Sequence, residues 1–143
     1  MANRELSKAE WLSRAEAYCA RAEHCAADVR RKLYEWGAPP DLFVEIEQNL
    51  YAEGFLDDTR FCAAYVHDKV AYQSWGRMKI RAGLQSLQLP NSVIDEAIET
   101  IDENDYIENL RKLAHQRRGE SEEKRLRFLL QRGFTYEEIK KCE

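Results

Sequence analysis

The chain has 143 residues, of which 44% are hydrophobic and 34% are charged, and it contains only six Gly and three Pro. This composition is too apolar for a disordered chain, and the length suits one domain or a short array of repeats. The formal net charge of −4 argues against a protein whose whole surface binds DNA. No segment is apolar enough for a membrane span, so we expect a cytoplasmic protein.

The four cysteines predict neither disulfides nor a metal site. Cys19, Cys25, Cys62 and Cys142 form no CxxC pair, and in a cytoplasmic protein they are expected to be reduced thiols. Cys19 and Cys25 lie close to His24 in sequence, but two thiols six residues apart sit on different helix faces or span a turn. We expect no metal and no cofactor.

The spacing of apolar residues predicts helices from the start of the chain. The first helix runs from about Lys8 to Arg21, and the second begins near Ala26 and ends at Gly37, which is followed by two prolines. A third starts after Asp41, a good capping residue, and ends at Gly54. A fourth helix, which carries Phe61, follows Asp57 and Asp58.

The same pattern recurs later in the chain. A shift of 51 residues places Leu33 on Leu84 and Pro39 on Pro90, where a helix stops and another restarts. A third copy follows from Asp105, in which Gly133 closes a helix as Gly37 and Pro90 do in theirs. Thr135 and Glu138 then have the spacing of a capping box.

We therefore predict an all-α fold of three tandem three-helix repeats that form an elongated, curved helical array. The predicted repeats comprise residues 1–56, 57–104 and 105–143. Each repeat is too small to bury its own apolar face well, so neighbouring repeats should pack on each other.

The middle helix of each predicted repeat is basic, whereas the closing helices of the first two repeats are acidic. We expect the basic side chains to be exposed, to contribute little to folding and to contact a partner. They are Arg30, Arg31 and Lys32 in the first repeat, Arg77, Lys79 and Arg81 in the second, and Lys124, Arg125, Arg127 and Arg132 in the third. An ordinary solvated helix face would give the same pattern, and either nucleic acid or an acidic protein would satisfy the charge.

No motif predicts an enzyme. The sequence has no P-loop, GxSxG, GxGxxG or HExxH motif. Asp57 and Asp58 precede a helix, where carboxylates more often cap than bind a metal. Tyr72 and Trp75 flank the break at Gly76 and could stack on nucleic-acid bases.

Four segments, in order, resemble the RecX family of regulatory proteins. Residues 54–62 resemble its central signature, in which Asp57, Asp58, Arg60 and Phe61 fall, and residues 76–84 resemble its next basic block. Residues 124–139, which include Gly133 and Phe134, resemble its closing block, and residues 26–33 match an early block more loosely. Gly83 stands where the family commonly has Glu.

The resemblance implies a monomeric, cytoplasmic protein without a cofactor that binds the groove of the RecA recombinase filament on single-stranded DNA. There it would limit strand exchange, ATP hydrolysis and co-protease activity. The residues Asp57, Asp58, Arg60, Phe61, Gly133 and Phe134 would serve the structure, and the basic middle helices would contact the partner.

Two other functions fit the residues. One is a DNA-binding module of helix–turn–helix type, with Arg77, Lys79 and Arg81 near its recognition helix. The other is a helical adaptor for an unrelated protein. Steep salt dependence of binding to naked duplex DNA would favour the first.

Overall fold

The computed structural model describes residues 5–143, and within them it contains nine α-helices, one short 3-10 turn and no strand. The all-α prediction is confirmed, and the first two helices have the predicted bounds. The helices are α1 Lys8–Arg21, α2 Ala26–Trp36, α3 Phe43–Ala52, α4 Asp58–Ala71, α5 Arg77–Ser86, α6 Asn91–Glu99, α7 Glu103–Gln116, α8 Glu122–Gln131 and α9 Tyr136–Lys141.

Local capping explains several of the helix starts. The predicted capping box at α9 is present: the Thr135 hydroxyl accepts from the Glu138 amide at 3.1 Å, and the Glu138 carboxylate accepts from the Thr135 amide at 2.8 Å. Ser7 and Glu10 form the same arrangement before α1. Each box satisfies amides that the first turn of a helix leaves without a partner.

The helices α2, α5 and α8 end in the same way. The residue after each helix, or one further on, has a left-handed backbone: Gly37 with φ 83°, Gln88 with φ 64° and Gly133 with φ 101°. The next amide then reaches back five residues, from Ala38 to Leu33, from Leu89 to Leu84 and from Phe134 to Leu129. This hydrogen bond defines a Schellman stop.

Three boundaries differ from those that the sequence predicts. The left-handed counterpart of Gly37 and Gly133 is Gln88, and Pro90 comes two residues later as the residue that precedes α6. Asp41 lies inside the 3-10 turn Pro40–Leu42 rather than capping α3. The helix expected from Asp105 begins at Glu103, because the Asp102 carboxylate caps it by accepting from the Asp105 amide at 2.9 Å.

The chain divides into two compact units, Met1–Phe61 and Cys62–Glu143. In the first, α1, α2 and α3 contact one another around an apolar core. Its fully buried members include Ala15, Val29, Leu33, Ile46 and Leu50. The arrangement of three repeats in a curved array stays a prediction.

The second unit contains α5 to α9 and most of α4. Its buried residues include Val66, Ile80, Leu84 and Ile94, and a cluster centred on α7 and α8. That cluster consists of Tyr106, Leu110, Leu129, Phe134 and Ile139. Among residues 5–143 the buried side chains are hydrophobic ones, and no charged side chain is buried.

Two glycine backbones lie in direct contact within the second unit. The Gly76 amide donates to the Arg132 carbonyl at 2.7 Å, and the Met78 amide donates to the Gly133 carbonyl at 3.1 Å. A Cβ on Gly76 would lie 2.2 Å from the Gly133 carbonyl carbon, and one on Gly133 would lie 2.5 Å from the Lys79 Cβ. The start of α5 is thus held against the α8–α9 loop at a distance that only glycine permits.

Alanine substitutions at the glycines test this contact. Gly76→Ala should lower the free energy of unfolding by about 3 kcal/mol, because backbone atoms stand where its Cβ would go. Gly37→Ala meets no atom and should cost about 1 kcal/mol for its left-handed backbone. Urea titrations of the variants provide the measurement.

Gly119→Ala is the matched control, since Gly119 has open space around it and no positive φ. Its free energy of unfolding should stay within about 0.5 kcal/mol of the parent. If Gly76→Ala unfolds at the same urea concentration as Gly119→Ala, the two backbones are not in tight contact.

Candidate partner-binding site

The Asp57–Phe61 run organises the start of α4. The Asp57 carboxylate accepts from the Arg60 amide at 2.9 Å, and the Asp58 carboxylate accepts from the Tyr51 hydroxyl at 2.7 Å. Phe61 is buried. These contacts place the two carboxylates in structural roles at the helix start.

Arg60 ties the same corner together. Its guanidinium donates to the Gly54 carbonyl at 3.1 Å and to the Phe55 carbonyl at 3.4 Å, and it pairs with the Glu23 carboxylate. The carbonyls that follow α3 thereby gain a charged donor. The side chain itself remains exposed, so this corner is a surface clamp rather than a buried ion pair.

The basic residues of α2 are paired within the first unit. Arg30 lies 3.6 Å from Glu47, Arg31 lies 3.5 Å from Asp28, and Lys32 lies 3.4 Å from Glu35. Acidic groups of α2 and α3 therefore offset much of the positive charge that the sequence assigns to this helix. Exposed pairs of this kind contribute little to stability.

Arg77 departs from the expectation of a free, exposed charge. Its guanidinium lies 3.0 Å from a Glu138 oxygen, pairs with Glu103 and sits 4.0 Å from the centre of the Tyr106 ring. Its amide also donates to the Tyr106 hydroxyl at 3.0 Å, and that hydroxyl donates to Glu138 at 3.1 Å. Arg77 is thus part of a half-buried network that joins α5, α7 and α9.

Tyr106 is the centre of this network. Its ring is fully buried against Phe134, with the ring centres 5.2 Å apart. Burial is the largest effect that raises the pKa of the Tyr106 hydroxyl above its ordinary value. The hydroxyl therefore stays protonated and serves as both donor and acceptor.

Two other predicted binding residues also have acidic partners. Arg81 pairs with Asp95 on α6, and Arg127 lies 3.2 Å from Glu123 one turn earlier on α8. The Arg127 pair is exposed, so a partner can displace it at small cost. Lys124 is exposed, and Arg125 donates to the Glu120 carbonyl at 3.3 Å.

Two lysine ammonium groups lie against the Trp75 indole. The Lys69 and Lys79 ammonium groups lie 4.5 and 4.4 Å from the centre of its ring. Within residues 5–143 neither ammonium forms an ion pair. The aromatic face stabilises both positive charges without neutralising them.

Arg132 contacts the loop that carries Trp75. Its guanidinium donates to the Gln73 carbonyl, and its buried Nε has no hydrogen-bond partner among the described residues. Tyr72, beside the same loop, is 75% exposed. We call Lys69, Tyr72, Trp75, Lys79 and Arg132 the Trp75 patch; it combines net positive charge with an exposed aromatic ring.

Sequence reasoning missed two parts of this arrangement. Lys69 was not singled out, because only the folded chain places its ammonium group against the Trp75 ring. The second part is the network of Arg77 with Tyr106 and Glu138, which lie 29 and 61 positions after Arg77 in the sequence. No local sequence pattern indicates a pairing over such separations.

The region of Cys19, His24 and Cys25 is built for packing. The His24 ring stacks on Tyr18 at 3.9 Å, and its Nδ1 lies 3.2 Å from Asp28. Burial, assisted by the Glu23 carboxylate, raises the pKa of the Cys19 thiol to about 11.

Within residues 5–143 no group of three His, Cys, Asp or Glu could hold a metal, and no helix is long and apolar enough to cross a membrane.

Comparison with known proteins decides the family. The regulatory protein RecX of Xanthomonas oryzae pv. oryzae (strain MAFF 311018) is 34% identical over 136 residues, which cover 90% of this chain and 84% of the relative. The chain belongs to the RecX family. The regulatory protein RecX of Geobacillus kaustophilus is also 34% identical, over 86% of this chain and 48% of the relative.

Other comparisons agree with this RecX assignment. The family model described as RecX, second three-helix domain, matches residues 57–98. A crystal structure of regulatory protein RecX covers 99% of this chain and 81% of its own, with a TM-score of 0.76 and 24% identity. RecX from Lactobacillus salivarius gives a TM-score of 0.77 at 19% identity, over 94% of this chain and 93% of its own. These two likenesses show the shared fold.

One departure from the RecX pattern now has a physical reason. Gly83, where the family commonly has Glu, lies beneath the Tyr65 side chain, and a Cβ there would be 2.1 Å from the tyrosine hydroxyl oxygen. A glycine inside α5 costs helix stability, but it leaves room for this ring. The Tyr65 side chain therefore occupies the space that a side chain at position 83 would need.

The structure predicts opposite outcomes for two neighbouring cations. Arg77→Ala should lower the free energy of unfolding by about 2 kcal/mol, because it removes a charged donor and leaves the part-buried Glu138 carboxylate with one partner fewer. Lys79→Ala should change it by less than about 0.5 kcal/mol. Chemical denaturation of both variants measures the difference, and equal effects would contradict the assignment of Arg77 to the fold.

Proposed function

We propose that this chain binds the RecA filament assembled on single-stranded DNA and lowers its recombinase, ATPase and co-protease activities. It would act in the cytoplasm as a monomer, as a binding protein without catalysis or cofactor of its own. Membership of a family whose relatives are named regulatory proteins supports the regulatory role.

The observation that carries the proposal is the unpaired charge of the Trp75 patch. Most of the cations that the sequence analysis singled out have acidic partners within their own unit, whereas Lys79 and the neighbouring Lys69 have none among residues 5–143. A charge with no internal partner keeps its full attraction for an external one. Carboxylates of a filament groove or phosphates of its DNA would supply that partner.

The exposed residues of α8 extend the proposed contact surface. Lys124 and Arg127 are exposed, and their spacing of three residues places them on one face of the helix. Arg125 lies on the same helix, and Arg132 lies at its end.

Arg30, Arg31 and Lys32 would add a second contact from the first unit once their weak surface pairs are exchanged for the partner's acids.

Reversal of the two unpaired lysines tests this function. Lys69→Glu combined with Lys79→Glu should weaken inhibition of RecA ATPase on single-stranded DNA by more than tenfold, because a like-charge contact at an interface costs several kcal/mol. The thermal melting temperature should stay close to the parent value, since neither ammonium has an ion-pair partner among the described residues whose loss would destabilise the fold.

The matched control reverses Arg111 and Lys141 to Glu. Both are exposed in the second unit, and this variant has the same formal net charge as the first. It should inhibit the ATPase nearly as well as the parent. Equal losses in the two variants would mean that total charge, rather than the Trp75 patch, governs the interaction.

Binding to naked duplex DNA distinguishes the second function that the sequence leaves open. A helix–turn–helix DNA-binding protein should bind duplex without RecA, and its affinity should fall steeply as salt rises. The proposed filament modulator should affect ATPase activity at concentrations where it does not bind duplex. Tight binding to duplex alone would overturn the filament proposal.

A further inference from the structure

A cleft of about 360 Å³ lies between α4 and α7 in the second unit, on residues that the proposed filament contact does not use. The α4 side presents Ala63, Val66 and Val70, which recur at the spacing of one helix face. Ile101 also lines the cleft. Apart from His67, the α4 side of the cleft is apolar.

The α7 side of the cleft is polar and acidic. Asp105, Glu108 and Lys112 line it at the same helical spacing. Glu108 pairs with Lys112 at 3.4 Å, whereas the Asp105 carboxylate has no ion-pair partner among the described residues. An apolar stripe on α4 therefore faces an acidic stripe on α7. The apolar side chains cannot pair with the carboxylates, and the carboxylates cannot cover the apolar side chains.

A hydrogen bond fixes the separation of the two stripes. The Asn109 side-chain amide donates to the Val70 carbonyl at 2.9 Å and so joins α7 to α4. The hydrogen bond thus links the two walls of the cleft directly. Its volume is at the lower end of the range found for ligand pockets and suits one or two aliphatic side chains.

The chemistry of the two walls selects the occupant. Carboxylates at the rim repel nucleic-acid phosphates, and within the described residues no metal-binding cluster occurs here. A peptide that carries aliphatic side chains next to Lys or Arg would cover the α4 stripe and pair with Asp105 and Glu108. We propose that this cleft binds a short basic, aliphatic segment of a protein partner.

This contact is separate from the Trp75 patch, since the two surfaces have opposite charge and share no residue. A fluorescein-labelled hexapeptide with two leucines flanked by arginines is the probe. Two control peptides replace the arginines by glutamate or the leucines by serine. Fluorescence anisotropy with the full chain should show the arginine–leucine peptide binding at least tenfold more tightly than either control.

Variants of the cleft identify the site. Ala63→Trp fills it from an exposed position, and Asp105→Asn with Glu108→Gln neutralises its rim; each should weaken peptide binding at least tenfold. The matched controls are Ala82→Trp on exposed α5 and Glu96→Gln with Glu137→Gln elsewhere in the unit, which should bind as the parent does. Circular dichroism checks that each variant is folded, and the rim variant tests the site even if Ala63→Trp unfolds.

Three outcomes would overturn the proposal. The first is equal binding of the three peptides, and the second is binding that the rim variant leaves unchanged. The third is a concentration-dependent dimer in sedimentation that Ala63→Trp abolishes, because a second copy of the chain would then occupy the cleft. Retained peptide binding by the Lys69→Glu, Lys79→Glu variant would separate this site from the proposed filament contact.

Discussion

The contact between the Gly76 and Gly133 backbones is the constraint on which the second unit depends. Amides in the first turn of a helix have no partner within that helix, yet those of Gly76 and Met78 donate to carbonyls at the end of α8. The last carbonyls of one helix and the first amides of another thus satisfy each other across a gap that excludes any Cβ. The loop before α5, which carries Trp75, is thereby held against the α8–α9 loop, and its side chains gain fixed positions.

That constraint separates two kinds of basic residue that look alike in the sequence. Arg77 follows Gly76 directly and is drawn into the network of Tyr106 and Glu138, where it stabilises the fold. Lys79, two residues further on, points to the Trp75 ring and keeps its charge for solvent or a partner. The value of a cation for binding therefore depends on whether the folded chain has already supplied its counter-charge, and not on how many cations a helix contains.

The sequence predicted correctly those features of the fold that depend on interactions between residues close together in the chain. The bounds of α1 and α2 and the capping box at Thr135 follow from apolar spacing and short-range hydrogen bonds. The left-handed stop at Gln88 was missed because glycine is the usual signal for that backbone, and here a glutamine adopts it. The pairing of Arg77 with Glu138 and the role of Lys69 depend on residues that only the folded chain brings together, so sequence periodicity had no access to them.

Amide hydrogen exchange of residues 76–78 tests the central constraint most directly. If Gly76 and Met78 donate to the α8–α9 loop, their amides should exchange as slowly as the helical amide of Leu84, which lies in the buried core of the same unit. Exchange as fast as that of Glu123, an exposed residue in the first turn of α8, would contradict the account. In that case the loop that carries Trp75 would not be fixed by the two glycines.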